Sequence, residues 1–176
     1  MKDKEINVPI FSAKDLACYI LEYYKDNVSE NKMSDIVLQK SLYFLFAFWG
    51  GFIRQGHIDN NPEVMDQSEI LFGDNIEAWT YGPVVADIYY YRKDGLLDAY
   101  YDNKYAGKDK LFENKEFLKI TLDGILKDLV KVDPFRLVTI SHRDKAWIKK
   151  FDGETSHHNV IEKEDIISEY ATRFTI

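Results

Sequence analysis

The longest apolar stretch of the sequence, residues 42–53, constrains the fold more strongly than any other feature. At about twelve residues it is too short for a membrane span, which needs about 20. Ser34 is positioned to cap a helix that contains this stretch. The buried stripe of that helix is predicted to consist of Leu38, Leu42, Leu45, Trp49 and Phe52. Because its second half is apolar on nearly every side, we expect it to be the central helix of a buried core.

The length of the chain indicates one domain. Its 176 residues lie within the roughly 100–200 that are typical of one domain, and a chain of this size can bury about 70% of the surface that its unfolded form exposes. No internal repeat, low-complexity segment or long linker divides it. We therefore expect an N-terminal arm over residues 1–11 and a single domain over residues 12–176. The charged residues 1–9 lack the apolar core of a signal peptide.

The middle of the chain differs from the helical spacing on either side of it. Ser12 is predicted to cap a first helix, and further helices are predicted near residues 117–129, 134–140 and 162–174. Between them, apolar runs at residues 70–72 and 76–79 flank a turn-like Gly-Asp-Asn and predict two strands or a hairpin.

Two residues are predicted to bound the helix that follows this β element. Pro83 is expected to be its first residue, and Gly95 is expected to end it. Residues 96–114 are polar and predict an exposed loop with at most a short strand. The chain is therefore predicted to be mainly α, in the α+β class: a single compact helical domain with a small β-hairpin or short β element in the middle.

The net charge of −7 bears on the class of partner. A protein that binds nucleic acid displaces counterions from phosphates with a basic face, so an acidic chain does not favour a nucleic-acid partner. The charge suits either solubility or a basic protein partner, and does not identify one. Cys18 is the only cysteine and lies on the apolar side of a predicted helix, so we expect a buried structural thiol. These features indicate a cytoplasmic protein with no membrane partner.

The histidines do not form a recognisable catalytic or metal-binding pattern. His157 and His158 are adjacent, and His142 follows Ser141, whereas a zinc site needs three or four ligands at defined spacing. Neither a Gly-x-Ser-x-Gly nucleophile elbow nor a glycine-rich phosphate loop is present. We therefore expect no enzyme activity, no catalytic residue, no metal and no cofactor, and a turn or capping role for His142.

Three segments together resemble a known family. Residues 38–44 read Leu-Gln-Lys-Ser-Leu-Tyr-Phe, and residues 76–85 read Ile-Glu-Ala-Trp-Thr-Tyr-Gly-Pro-Val-Val and are followed by Tyr89. Residues 137–147 contain Ser141-His142 and end at Trp147. In this order and spacing they resemble the Panacea domain of SocA-like antitoxins, over roughly residues 12–174. The chain departs from the family pattern at Ser41, where an aliphatic residue is usual, and at residues 48–51.

This resemblance implies an antitoxin of a bacterial or prophage toxin–antitoxin pair, which neutralises its cognate toxin by direct protein–protein binding. It does not identify the toxin. The alternative is a proteolysis adaptor or a prophage-encoded modulator of a host protein, whose partner is a protease or host factor. The residues that carry the motifs, and are therefore candidates for partner binding, are Gln39, Lys40, Tyr43, Glu77, Trp79, Tyr81, Gly82, Pro83, Tyr89, His142 and Trp147.

Several of these residues have two interpretations. Gln39 and Lys40 either lie on the exposed side of their helix, or Lys40 forms a partly buried pair with Glu77, because a buried charge needs a partner. Gly50 and Gly51 either weaken the same helix or let another backbone approach it closely.

The aromatic residues of the second motif also have two interpretations. Either Trp79 fills the core, Tyr81 packs over the turn and Gly-Pro bends the chain from strand to helix, or the turn presents an aromatic rim to the partner, since Trp and Tyr are preferred interface anchors. Residues 89–91 are three consecutive tyrosines about 100° apart on a helix, so at least one is expected to be exposed.

Overall fold

The central element of the fold is helix α2 (Asp35–Ile58), as the apolar stretch predicts. The structure is a computed structural model that describes residues 8–175. The Ser34 side chain accepts a hydrogen bond from the backbone N–H of Val37 and caps α2. Leu38, Leu42, Leu45 and Trp49 are buried, and Phe52 is half-buried. Among the described helices, only α2 is long and apolar enough to cross a membrane, but 78% of that apolar window is buried inside the fold.

Within the described residues, one helix precedes α2 along the chain, and the remaining helices and strands follow it. Helix α1 (Ala13–Asn27) precedes it, and Ser12 caps α1 as predicted. The following elements are β1 (Ile76–Trp79), β2 (Gly82–Val85), α3 (Ala86–Lys93), α4 (Leu96–Asn103), α5 (Lys108–Leu111), α6 (Glu116–Leu129), α7 (Pro134–Ser141), α8 (Lys145–Lys150), β3 (Asn159–Ile161) and α9 (Lys163–Ala171), with a short 3-10 turn at Thr172–Phe174. With 59% of its residues helical and a small antiparallel sheet, the fold is mainly α with a short β element, which confirms the predicted class.

The three strands form a sheet in the order β2-β1-β3, antiparallel throughout. The hairpin is made by β1 and β2, which pair Trp79 with Gly82 across a two-residue turn. The prediction that residues 70–72 form a strand of this hairpin is wrong: the carbonyls of Ile70 and Leu71 accept hydrogen bonds from residues 10 and 11 instead. These N-terminal residues are distant in sequence and gave no local signal.

Pro83 does not begin a helix, contrary to the prediction from its sequence position. It lies inside β2, opposite Ala78, and helix α3 begins three residues later. Since β2 is the edge strand of the described sheet, a residue without a backbone N–H is tolerated there. Gly95, in the left-handed conformation with φ 74°, follows the end of α3 as expected.

The predicted loop over residues 96–114 is also wrong, because α4 and α5 occupy it. Tyr100 Oη donates to Asp15 Oδ1 at 2.7 Å, and Tyr105 Oη donates to Glu22 Oε2 at 3.0 Å, so tyrosines attach this segment to α1. Phe112, at its end, is buried. The polar composition concealed these helices because their polar atoms bind α1 rather than water alone.

Helix α9 packs closely on α2 at a glycine pair. A Cβ on Gly51 would lie 2.6 Å from the backbone carbonyl carbon of Tyr170. The close-approach interpretation of Gly50 and Gly51 is therefore confirmed. Cys18 is buried in α1 as expected, and burial raises the pKa of its thiol to about 12. Residues 1–7 lie outside the described residues. They include most of the predicted arm and most of the segment that lacks a signal-peptide pattern.

Candidate partner-binding site

The hairpin of β1 and β2 has a buried face and an outer face. Ile76 and Ala78 are fully buried, while Glu77 and Trp79 alternate with them and are half-buried on the outer face. Val160 of β3, which pairs with Glu77, is exposed on that same face. Trp79 is therefore at the surface of the sheet and not in the buried core.

Trp79 is held in place by contacts on three sides. The His158 ring stacks on it with a centroid distance of 4.0 Å, and the Tyr89 ring meets it edge-on at 4.9 Å. Its indole Nε1 donates to Glu77 Oε2 at 2.8 Å. A ring fixed in this way loses little conformational freedom when a partner contacts it.

Tyr81 and Tyr90 are the exposed aromatic side chains beside Trp79. Tyr81, at the two-residue turn, is 62% exposed. Tyr90 is 47% exposed, and its ring lies 6.1 Å from that of Trp79. Tyr89 and Tyr91 are half-buried. The expectation that at least one of the three consecutive tyrosines is exposed is confirmed.

A cavity of about 230 Å³ lies between the first turns of α2, the hairpin, α3 and the loop before β3. We call it the hairpin cavity. Its lining residues are Asp35, Ile36, Gln39, Lys40, Trp79, Thr80, Tyr81, Val84, Tyr89, Thr155 and His158.

Gln39 and Lys40 are both buried, and their polar ends bind the edge strand β2. The Gln39 amide accepts from the Val85 backbone N–H at 2.8 Å and donates to the Val85 carbonyl at 3.3 Å. Lys40 Nζ donates to the Pro83 carbonyl at 2.8 Å. Gln39 and Lys40 thus supply partners to backbone groups of β2 that no neighbouring strand satisfies. Neither predicted interpretation holds: the two residues are not exposed, and Lys40 does not pair with Glu77.

Lys40 is a charged group in an apolar setting, only 1% exposed. Among the described residues, no carboxylate lies within ion-pair distance of its Nζ. Asp35 pairs with Arg92 at 3.1 Å, and Glu77 accepts from Trp79. Burial lowers the pKa of the Lys40 ammonium to about 7, because desolvation disfavours the charged form.

Gly82 is the point at which the three sequence motifs meet. Its φ of +97° is unfavourable for any residue with a Cβ. A Cβ there would lie 2.9 Å from Lys40 Nζ of the first motif and closer still to Ser141 Oγ of the third. Glycine is therefore required at this position for conformation and for space.

His142 and Trp147 of the third motif bind the hairpin from its other side. Trp147 Nε1 donates to the Trp79 carbonyl at 3.0 Å, and His142 Nε2 lies 3.1 Å from the Thr80 carbonyl. The two rings stack with a centroid distance of 4.3 Å. Burial lowers the pKa of His142, and the nearby Lys40 charge adds to that effect. His142 also occupies the C-cap position of α7, where its backbone N–H donates to the Val138 carbonyl.

Tyr43 lies away from the hairpin cavity, in a buried polar cluster that the sequence did not predict. Tyr43 Oη and Tyr170 Oη each donate to Asp144 Oδ2 at 2.7 Å, and Arg173 Nη2 donates to Asp144 Oδ1 at 2.8 Å. Burial and the Asp144 charge raise the pKa values of both tyrosines. Asp144 lies in the third motif, but nothing in its local pattern marks it as buried.

The cavity residues that sequence analysis missed are chiefly His158 and Thr155, from the loop before β3. His158 was considered only as a metal ligand beside His157, and no group of three or more His, Cys, Asp or Glu side chains arranged to hold a metal is found within residues 8–175. A second, almost wholly apolar depression of about 220 Å³ lies between α2 and α6, lined by Phe48, Phe52, Thr121, Ile125 and Phe174. It contains none of the predicted residues.

Comparison with known families matches residues 63–148 to the family model described as "Antitoxin SocA-like, Panacea domain". The matched segment is just under half of the chain and includes the second and third motifs, but not residues 38–44. The match is to the family that these motifs resemble, and it confirms that resemblance. Searches of curated proteins and of solved structures found no significant match.

Proposed function

We propose, from the match of residues 63–148 to the SocA-like antitoxin family, that this chain is an antitoxin that neutralises a protein toxin by direct contact. The family suggests the antitoxin role. We further propose that one surface of the chain makes this direct contact. That surface is the outer face of the hairpin together with the hairpin cavity.

One observation carries this choice of surface: exposed Tyr81 lines the hairpin cavity, exposed Tyr90 lies beside Trp79 of the same lining, and all three residues belong to the matched segment. Trp and Tyr are the residue types that most often dominate binding energy at protein interfaces. Trp79 is held by His158 and Tyr89, so the surface is ordered before a partner arrives. A stable interface buries about 800 Å² per partner, with an aromatic centre and a polar rim. Exposed Thr80, Asp87 and Thr155 supply such a rim.

The depression between α2 and α6 is a weaker choice for the same role. Thr121 is the polar residue in its lining, and an apolar surface without placed polar groups gives little specificity.

The test is co-expression with the product of the neighbouring gene. The neighbour is expressed alone, with the wild-type chain, and with Tyr81→Ala, and surviving colonies are counted. We expect the neighbour alone to stop growth, the wild type to restore it, and Tyr81→Ala to fail. Truncation of a central interface residue costs about 2 kcal/mol or more, which weakens binding about 30-fold.

Ile120→Ala is the matched control, because Ile120 is 65% exposed but lies on α6, outside the hairpin cavity. It should rescue growth as the wild type does. Equal loss of rescue by both variants would refute the hairpin as the binding surface. A neighbour that is harmless when expressed alone would refute the antitoxin role, and affinity purification would then test the adaptor or host-modulator alternative.

A further inference from the structure

Burying the Lys40 ammonium group costs more free energy than is needed to provide its one hydrogen bond. An ammonium group has three N–H donors, and in the described residues only the Pro83 carbonyl accepts from Lys40 Nζ. A neutral amide could donate to that carbonyl without the cost of burying a charge, as the Gln39 amide does to the Val85 carbonyl. Support of β2 therefore does not by itself account for a lysine at this position.

The hairpin cavity has the size and lining to bring an anionic group to Lys40. Its volume of about 230 Å³ is below the roughly 300–1,000 Å³ of typical small-molecule sites, and fits one side chain or chain end better than a cofactor. Lys40 and Gln39 lie in its lining, and Trp79 and Tyr81 form aromatic walls. Because only 1% of Lys40 is exposed, a carboxylate has to enter the cavity fully to reach its Nζ, and the low-dielectric surroundings there strengthen charge pairing.

The carboxylates already near the cavity are occupied. Asp35 is paired with Arg92, and Glu77 accepts from the Trp79 indole. The other titratable groups of the lining are Tyr81, Tyr89 and His158, and His142 lies behind the hairpin. Within the described part of the chain, then, no acidic side chain serves as the counter-charge of Lys40.

We propose that the hairpin cavity is a carboxylate-binding site, in which Lys40 pairs with an acidic side chain or a chain-terminal carboxylate of the partner. This inference rests on the proposed function, because it supplies the chemical complement that the partner must present. The partner can be basic as a whole and still insert one carboxylate here, since the pairing is local. A protein without a carboxylate at this place would leave the Lys40 charge unpaired and would bind less tightly. Lys40 therefore contributes to selection of the partner.

The site can be tested without the partner by NMR on the whole chain. The probes are N-acetylglutamate α-amide for an acidic side chain, N-acetylalanine for a chain end, and N-acetylglutamine amide as the neutral control. Trp79 lines the cavity, so its indole ¹⁵N–H, which donates to Glu77, reports on binding there. The indole of Trp49 is outside the lining, donates to the Ser68 carbonyl and reports on another part of the fold. We expect both carboxylates to shift the Trp79 signal. The one that binds more tightly shows whether the partner presents an acidic side chain or a chain-terminal carboxylate. The neutral amide should shift neither signal.

Two variants separate the charge of Lys40 from its hydrogen bond. Lys40→Met removes both, and Lys40→Gln keeps an N–H donor but removes the charge. Loss of a charge-assisted hydrogen bond should weaken carboxylate binding about 10- to 100-fold in both variants. The unfolding temperature of Lys40→Gln should equal or exceed that of the wild type, because an unpaired buried charge is removed and a donor to the Pro83 carbonyl is kept. Lys40→Met should be less stable than Lys40→Gln, because it leaves that carbonyl without a partner. This result distinguishes loss of binding from loss of folding.

The same variants, with the neighbouring gene product, separate this inference from the proposed function. If both variants bind carboxylates and the toxin as tightly as the wild type, while Tyr81→Ala loses the toxin, the antitoxin role stands and the carboxylate site is refuted. Shifts of Trp79 that the neutral amide reproduces would also refute it. A harmless neighbour together with Lys40-dependent carboxylate binding would refute the antitoxin role and leave the site supported.

Discussion

Replacement of Gly82 by alanine tests how the three motifs are joined, because this residue contacts all of them. Two effects disfavour a Cβ at Gly82, one from backbone conformation and one from close contacts. The backbone φ of +97° disfavours any Cβ, and the methyl group would lie 2.9 Å from Lys40 Nζ and closer to Ser141 Oγ. Both neighbours are buried. The Ser141 hydroxyl is further restrained by its hydrogen bond to the Val138 carbonyl at 2.8 Å.

The expected loss of stability is the sum of these two effects. A non-glycine residue in the left-handed region costs about 1–2 kcal/mol, and a methyl group forced into a packed site costs about 1–3 kcal/mol. Gly82→Ala should therefore lower the free energy of unfolding by about 3 kcal/mol. For a chain of this length, about 2–4 °C is lost per kcal/mol, so the unfolding temperature should fall by about 6–12 °C.

Two other glycines serve as controls for the separate effects. Gly95 has a φ of +74° but open space around its Cβ position, so Gly95→Ala should cost only the conformational part, about 1 kcal/mol. Gly124 is exposed within α6, has ordinary helical geometry and also has open space, so Gly124→Ala should stabilise the helix by about 0.5–1 kcal/mol.

The assay is urea unfolding of the three variants and the wild type, followed by the helical circular-dichroism signal. The expected order of stability is Gly124→Ala, wild type, Gly95→Ala and then Gly82→Ala. If Gly82→Ala is no less stable than Gly95→Ala, the contacts with Lys40 and Ser141 do not restrict this position, and the account of how the motifs meet is wrong.

Two further predictions concern the buried polar groups. Asp144→Ala leaves the hydroxyls of Tyr43 and Tyr170 and the guanidinium of Arg173 without their acceptor, and should lower the free energy of unfolding by about 3–5 kcal/mol; Asp144→Asn, which retains one acceptor oxygen, should lose less in the same urea assay. The folded-state pKa of Lys40, about 7, lies below the 10.5 of an unperturbed lysine, so the unfolded chain binds more protons between these values and stability rises with pH. Relative to Lys40→Met, the wild type should therefore gain about 2 kcal/mol between pH 7 and pH 9, at up to about 1.4 kcal/mol per pH unit. A difference that stays constant over this range would contradict a depressed lysine pKa.

Much of the helical framework could be predicted from local patterns. The apolar stripe of α2, its cap at Ser34, the cap of α1 at Ser12 and the start of α7 after Asp133 all follow from residues within a few positions of one another. Helical hydrogen bonds join residues four apart, so the information that specifies a helix is present within the helix itself. Residues 76–79 form a strand as predicted, but its hairpin partner is β2, where a helix start was predicted at Pro83.

Two of the mispredicted segments depend on distant partners. Residues 70–72 bond with residues 10 and 11, and the polar segment of α4 and α5 is attached to α1 by Tyr100 and Tyr105. A single sequence carries no signal for such distances, because period and composition describe only the neighbourhood of each residue.

The amino-acid sequence by itself determined the core helix, its caps, the mainly α class and the identity of the motif residues. Only the tertiary structure decided what those residues do. It brings Gln39 and Lys40 to backbone groups of an edge strand more than 40 positions away, and leaves Lys40 without a carboxylate in the described chain. It also exposes Tyr81 beside a cavity completed by His158. The physical reason is that burial and hydrogen-bond partners depend on contacts across the fold, whereas helix formation depends on neighbours along the chain.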